Sequence, residues 1–576
     1  MSDAGVARRR DGGRPAPSRL RPPLAGLTVR GVGRELLAGV TLLALAVPLN
    51  IGYAQIAGLP ATAGLYALVV PTIVYVLFVS SRQLVASPDA AIAALVASSV
   101  GGLAIAGDDY ATLALAQAVI VGVLFVLLAV FRLGFLASFL SAPILVGFVA
   151  GLALDILVGQ IAKMLGISLP SGAEFFERVG RIVLELPRAE PWSVAVAVSS
   201  ILVMLLGRRF LPVVPWALVV LVAATAVVSV AGLAERGVPV LGPVPAGPPR
   251  FTWPMLDVLS WVSLVPSAIA ITLVTLAEGL LLSRAYAERN RYRVNPNRDL
   301  LAFGLANIAA GAQGAFAMGS STSRTAAMDQ AGSRTQLPSL VVAAGAIALL
   351  VFGTALLADI PSPAIGAVVA VAVLPLLAPR SFARLWRIDR FEFAVAGTCF
   401  VVTLLVGAIP GVLVAFVLAL VNLARRAAHP PIDVLVVGSD RRSLVDEAGV
   451  GRSTVPGVVV VRMSAPLFFA NAETFAGAVR RAVRAPDETV HDLVLDMEAV
   501  TDIDVTAAEA MVGLRVWLEE RGTRLSFSRV RPATLARLDA LGLRGEATIF
   551  PTNRAAVDAL GGRPSGTGRR ARKAGS

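Results

Sequence analysis

The chain has 576 residues, 56% of them hydrophobic and only 15% charged, where soluble globular proteins carry about 25% charged residues. With a mean hydropathy of +0.76, this is more apolar sequence than ordinary cores can hide, and it points to a bilayer as solvent. The net charge of +13 does not indicate nucleic acid, because the basic residues sit in the tails and loops; one cysteine and two histidines exclude a disulfide framework and leave almost no zinc ligands.

In chain order, residues 1–34 are rich in Arg, Pro and Gly and read as a disordered basic tail without an evident signal peptide. From Leu36 to Ser81 no residue is charged, enough for two spans with a tight turn near Gly58-Leu59-Pro60. Further charge-free stretches lie at 90–107, 110–131, 133–154, 191–207, 210–234, 258–277, 300–323, 335–358, 360–379 and 393–424. The last is too long for one helix, and Ile409-Pro410-Gly411 is expected to break it into a hairpin. With broken pieces counted, and a span in 138–166 that tolerates Asp155, about 14 membrane segments are expected over residues 35–426. Asp155 is read as a structural ion-pair member. The basic N-terminal tail and Arg425-Arg426 both point to the cytoplasmic side, which requires an even number of spans.

After Pro430-Pro431 the composition changes. Val458-Val459-Val460-Val461 and Leu493-Val494-Leu495 read as buried strands, and Thr474–Arg484 and Ala507–Arg521 as helices, so 432–560 is expected to be a cytoplasmic α/β domain. Residues 561–576 read as a flexible basic tail.

Three features of the spans carry chemistry. In Ser81–Ala91 an extended piece meets Pro88 and then about 15 apolar residues, short for a full span. A helix that starts inside a membrane offers free N–H groups and a partial positive charge, which attract anions, and Asp89 can cap that tip itself. The alternative is a surface loop before an ordinary span. In Met318–Thr325, the hydroxyls of Ser321, Thr322 and Ser323 precede a helix-compatible run, and Arg324 supplies a planar cation. Two interrupted segments in matching halves of a transporter point to its binding site; the bland reading is a Ser-rich loop whose Arg marks the cytoplasmic face. The third feature is Glu278, an acid with apolar neighbours on both sides, hence a candidate proton carrier or a structural partner of a base such as Arg324.

These residues resemble the sulfate permease (SulP) family of anion transporters over roughly 30–560. The likeness rests on Gly58-Leu59-Pro60 with Gly64-Leu65-Tyr66, on Ser80-Ser81-Arg82-Gln83 leading into Ser87-Pro88-Asp89-Ala90-Ala91, and on Ser321–Thr325 followed by Gly332-Ser333-Arg334-Thr335-Gln336-Leu337. The C-terminal part resembles the STAS module through Pro466–Glu473, Leu493-Val494-Leu495-Asp496-Met497 and Asp502-Ile503-Asp504-Val505-Thr506.

The resemblance implies a polytopic α-helical membrane protein of two inverted repeats of seven segments, with a core domain that carries the substrate against a gate domain. It implies a homodimer in the inner membrane with both termini cytoplasmic. The third and tenth segments, matching 88–103 and 323–334 here, would be half-helices whose N-termini face each other across the anion. The site carries over onto Tyr53, Asp89, Ala90, Ser323 and Arg324, and cation coupling onto Glu278. Sodium-coupled relatives have a hydroxyl residue four positions after that acid; Leu282 stands there, which favours a proton. Leu49 replaces a first-span glutamine of some relatives, and Thr506 matches the serine phosphorylated in anti-sigma factor antagonists.

The expected activity is secondary active transport of a small anion (sulfate, bicarbonate or a dicarboxylate), proton-coupled, by an elevator-like motion; an exchanger or channel of the same fold is the alternative. No Gly-Lys-Ser/Thr loop supports an ATP-driven pump. The C-terminal part has only His491 and no nucleophile–base pair, so no enzyme is expected. Neither a cofactor nor a metal is called for.

Overall fold

The computed structural model describes residues 24–27, 31–103, 109–135, 142–169, 175–211, 214–437, 444–447, 453–486 and 488–561. Most of the two expected tails lies outside these residues. The apolar runs form helices because a chain in lipid must satisfy its backbone groups within each segment. The first half comprises α1 (Val32–Ile56), α2 (Ala61–Tyr66), α3 (Val70–Phe78), strand β1 (Ala86–Ser87), α4 (Ala90–Leu103), α5 (Tyr110–Val130), α6 (Ala142–Leu165), α7 (Phe175–Glu185), α8 (Pro191–Phe210) and α9 (Trp216–Val230). The second comprises α10 (Val258–Ser263), α11 (Val265–Arg289), α12 (Pro296–Gly311), strand β2 (Gly319–Ser320), α13 (Thr322–Gln330), α14 (Leu337–Phe352), α15 (Ser362–Val373), α16 (Pro379–Ile388), α17 (Arg390–Leu405) and α18 (Ala408–Ala428).

With α2 and α3 taken as one broken segment and α10 as a short lead into α11, the order repeats. In each half a two-residue strand precedes a short third helix, and an amphipathic helix, α7 or α16, follows the fifth segment. Packing repeats too: α1 lies on α14 as α11 lies on α5, and α6 on α17 as α15 on α8. Among the described residues, seven helical stretches are long and apolar enough to cross a membrane. The short apolar helices Ala90–Gly101, Trp216–Val230 and Leu337–Phe352 add to them.

Two local devices set this geometry. At Gly64 a Cβ would meet the Asn50 carbonyl oxygen at 2.1 Å, so only glycine lets α2 come this close to α1. The hairpin expected at Ile409-Pro410-Gly411 breaks earlier, at Gly407, whose φ of +107° suits glycine. Pro410 falls in the first turn of α18, where a missing N–H leaves no helix bond unmade. Asp155 pairs with Arg178 of α7 at 3.2 Å, as expected of a structural acid.

Packing separates the helices into two groups. One contains α1, α3, α4, α5 and α11–α14; the other contains α6, α8, α9, α15 and α17, and they meet where α1 touches α9 and α15 and where α4 touches α6.

The chain divides into compact units Met1–Ala419 and Leu420–Ser576, a division that falls within α18. The second unit contains β3 (Ile432–Val437), β4 (Leu444–Glu447), β5 (Val458–Met463), α19 (Ala472–Arg484), β6 (Asp492–Asp496), α20 (Val505–Glu519), β7 (Arg524–Ser528), α21 (Pro532–Ala540), β8 (Thr548–Phe550) and α22 (Asn553–Leu560). Its six strands run β4-β3-β5-β6-β7-β8, with β5 to β8 parallel. Val459, Val461, Leu493 and Leu495 pack in one cluster with residues of α19 and α20. Val458, Val460 and Val494 pack on the other face with α22. Strands covered on both faces explain the unbroken valine run.

Candidate functional site

The two halves meet at β1 and β2. Ala86 pairs with Ser320 and Ser87 with Gly319 in antiparallel register. The pairing continues as the Ser321 N–H donates to the Val85 carbonyl at 3.0 Å and the Val85 N–H to the Thr325 hydroxyl at 3.0 Å. Because each strand leads directly into a helix and the strands are antiparallel, α4 and α13 leave in opposite directions. Their N-termini lie together at this strand pair, where Arg324 at the start of α13 reaches Ser87 and the Pro88 carbonyl just before α4. The helices begin at Ala90 and Thr322, against the expected 88–103 and 323–334.

The α13 tip is capped by Ser321, whose Oγ accepts from the Arg324 N–H. The N–H groups of Thr322 and Ser323 meet no acceptor among the described residues. The side chains of Thr322 and Ser323 are exposed. At the α4 tip, Asp89 Oδ1 accepts from the Ile92 N–H at 2.9 Å, so this acid caps its own helix and offsets part of the positive end. Ala90 is buried beside it.

Between the tips lies Arg324, only 1% exposed. Its Nε donates to Ser321 Oγ at 2.8 Å, its Nη1 to Asn50 Oδ1 at 2.5 Å and Ser87 Oγ at 2.6 Å, and its Nη2 to the Pro88 carbonyl. The Tyr53 ring lies 5.8 Å from the guanidinium carbon, and its hydroxyl bonds nothing among the described residues. No carboxylate of the described residues lies within ion-pair distance of Arg324. A buried cation without an ion pair at hydrogen-bond distance is costly. A small anion at the two helix tips would offset that cost, and this is what the arrangement can do chemically.

Asn50 and Thr275 are members of this neighbourhood that sequence reasoning missed, and Ser87 and Ser320 lay within the two motifs without being named as site residues. Asn50 is fully buried; its amide donates to the Gly64 carbonyl at 3.0 Å, and its oxygen also accepts from Ser87 at 3.1 Å. One polar residue in a charge-free run of apolar residues, just after Pro48, was the signal available. The hydroxyls of Thr275 and Ser320 are buried without a hydrogen-bond partner among the described residues. A Cβ built on Gly319 would lie 3.2 Å from the Thr275 hydroxyl, so that hydroxyl faces β2.

Glu278 lies one turn further along α11, half-buried, with no hydrogen bond or ion pair among the described residues. It is therefore not the structural partner of Arg324. Thr506 is exposed in the first turn of α20, in the second unit.

The scaffold around the tips is bonded as carefully. Asp299 of α12, fully buried, accepts from the Ser80 N–H at 2.7 Å, the Ser80 hydroxyl at 2.6 Å, the Ser81 N–H at 3.3 Å and the Ser283 hydroxyl at 2.7 Å. Glu35 accepts from Ser333 at 2.6 Å, the Arg334 N–H at 2.7 Å and Thr335 at 3.1 Å. Gln117 of α5 donates to Ser99 of α4 at 2.8 Å and to Ser267 of α11 at 2.5 Å.

Residues 33–399 match the Sulfate permease family and residues 452–556 the STAS domain. A probable sulfate transporter of Mycobacterium tuberculosis is 38% identical over 537 residues, covering 91% of this chain and 95% of the relative. The chloroplastic sulfate transporter 4.1 of Arabidopsis thaliana is 30% identical, covering 90% and 78%. The murine Solute Carrier 26 family member A9 anion transporter, solved in its inward-facing state, superposes with a TM-score of 0.83 at 22% identity, covering 97% of this chain and 99% of that one. The transmembrane domain of a cyanobacterium bicarbonate transporter gives 0.61 at 21% identity, covering 67% and 98%. At such identities these two structures establish the fold alone.

Proposed function

The chain belongs to the sulfate permease family, and on that premise we propose that it is a multi-pass transporter of a small anion, sulfate or bicarbonate before a dicarboxylate. The reading is carried by one observation: a buried Arg324 without a carboxylate partner sits between two facing helix N-termini. Helix tips and a guanidinium together replace the hydration of an oxyanion with fixed donors. Relatives described as sulfate transporters and a structural neighbour described as a bicarbonate transporter support those two substrates.

Coupling is assigned to a proton on Glu278, a carboxyl without a bonded partner beside the site. The mechanism assigned is elevator-like: the helix group bearing the tips moves against the group of α6, α8, α9, α15 and α17. Residues Tyr53, Asp89, Ala90, Ser321, Thr322, Ser323 and Arg324 are assigned to the anion. Both termini are assigned to the cytoplasmic side of the cell membrane and the working form to a homodimer, the STAS part being regulatory and Thr506 its candidate modification site.

The test is uptake of labelled sulfate, bicarbonate and dicarboxylates into proteoliposomes at two imposed pH gradients. Saturable uptake of one anion that accelerates with acid outside supports the reading. Uptake that ignores the gradient but requires an internal anion makes the protein an exchanger, and unsaturable flux makes it a channel.

A further inference from the structure

The helix after the fifth segment of each half is amphipathic, yet the two differ in charge. Helix α7 carries Glu177, Arg178, Arg181 and Glu185, with Arg178 bound to Asp155. Helix α16 carries Arg380, Arg384 and Arg387 and no acid. These three lie at i, i+4 and i+7 on one face, exposed, and none makes an ion pair or hydrogen bond among the described residues. With Ala383 and Ile388 they line a concavity of about 390 Å³.

The opposite face is fixed. Phe382 packs edge-on to Phe393 and Phe400 of α17 at 6.3 and 6.1 Å, and Trp386 to Phe393 at 4.9 Å. Arg390, at the start of α17, stacks on Trp386 at 5.4 Å. The helix is thus held at a segment end with its cationic face outward, while Ile388 (68% exposed) flanks that face and Trp386, on the packed side, is still 53% exposed. Uncovered apolar side chains next to unpaired guanidiniums suit the boundary between acyl chains and headgroups.

We propose that the Arg380–Arg384–Arg387 face of α16 binds the phosphate of an anionic lipid headgroup. The occupant follows from charge complementarity: three unpaired guanidiniums call for a phosphate, and the uncovered Ile388 and Trp386 call for acyl chains, which a free oxyanion does not supply. Because α16 packs on α6 and α17, the bound lipid fixes that helix group to the leaflet. The assignment holds whichever anion the protein carries.

The experiment titrates detergent-solubilised full-length protein with dioctanoyl-phosphatidylglycerol, read as bound adducts by native mass spectrometry. Dioctanoyl-phosphatidylcholine and inorganic phosphate serve as the other two probes. Wild type should bind the anionic lipid and discriminate against the choline lipid. The R380Q/R384Q/R387Q variant should lose roughly 100-fold in affinity, at about fivefold per arginine near an anionic surface. The R380K/R384K/R387K variant should retain most of it. A Gln variant that melts like wild type but binds the anionic lipid equally well overturns the proposal. So does equal binding of the choline lipid by wild type, or displacement of the lipid by phosphate at matched concentration, which would mark a free-oxyanion pocket instead.

Discussion

Replacing Arg324 by alanine isolates the charge at the helix tips. The substitution removes hydrogen bonds to Ser321, Asn50, Ser87 and the Pro88 carbonyl, each to a charged donor and each worth about 1.5–3 kcal/mol. It also removes the desolvation cost of a buried unpaired cation, several kcal/mol of opposite sign. The two offset, so a net loss of stability on the order of 1–3 kcal/mol is expected, and the protein should still be extracted as a folded species. The anion has no such offset. A unit charge about 5 Å away contributes roughly 3 kcal/mol at an effective dielectric of about 20, a change on the order of 200-fold in Kd. Arg324→Lys keeps the charge but cannot reproduce the planar fork to Asn50, Ser87 and Pro88, so its affinity should fall between the two. The assay is initial uptake rate against anion concentration in proteoliposomes, with size-exclusion profiles and melting curves in parallel. A folded Arg324→Ala protein with wild-type KM and turnover would refute the reasoning and leave Arg324 as a strut between α1, β1 and α13.

Glu278→Gln keeps shape and hydrogen bonding but cannot titrate; it should retain anion exchange while losing acceleration by external acid, and equal acceleration in mutant and wild type removes Glu278 from coupling. Asp299→Ala strands the donors of Ser80, Ser81 and Ser283 in a buried place, so a loss on the order of 3 kcal/mol or more is expected as a lower melting temperature, with Asp299→Asn less severe. Removal of residues 432–576 should leave a membrane unit that binds anion, measured by thermal shift with sulfate; failure to extract it folded would show that the two units form one cooperative whole.

The helices were legible because lipid imposes long uncharged runs, and the half-helices because Pro88 and the Ser321–Ser323 hydroxyls interrupt such runs at matching places. The centre of the site was not. Arg324 reads equally well as a loop cation until Asn50 and Ser87 are seen around it, and those lie 274 and 237 residues away. Glu35 and Asp299 sit in the first turns of α1 and α12, where acids ordinarily complement the helix dipole at a water-facing end. Nothing local shows that they are instead buried and saturated by hydroxyl and backbone N–H donors, most of them from the other half. The break at Gly407 rather than Pro410 has the same character: a proline in a first turn and one in a helix interior look alike until the boundary is known.

The lacing of the halves through β1 and β2 also sets a timetable for biosynthesis. Glu35 must wait for Ser333, Ser80 for Asp299 and Asn50 for Arg324, separations of 298, 219 and 274 residues. At about 5–20 residues per second, the first-half helices wait roughly 10–60 s before their partners are made. During that interval the Glu35 carboxylate and the Ser80 donors lack their second-half partners, and the α4 tip has only its own Asp89 cap. The nascent first half is therefore the form of this protein most exposed to quality control.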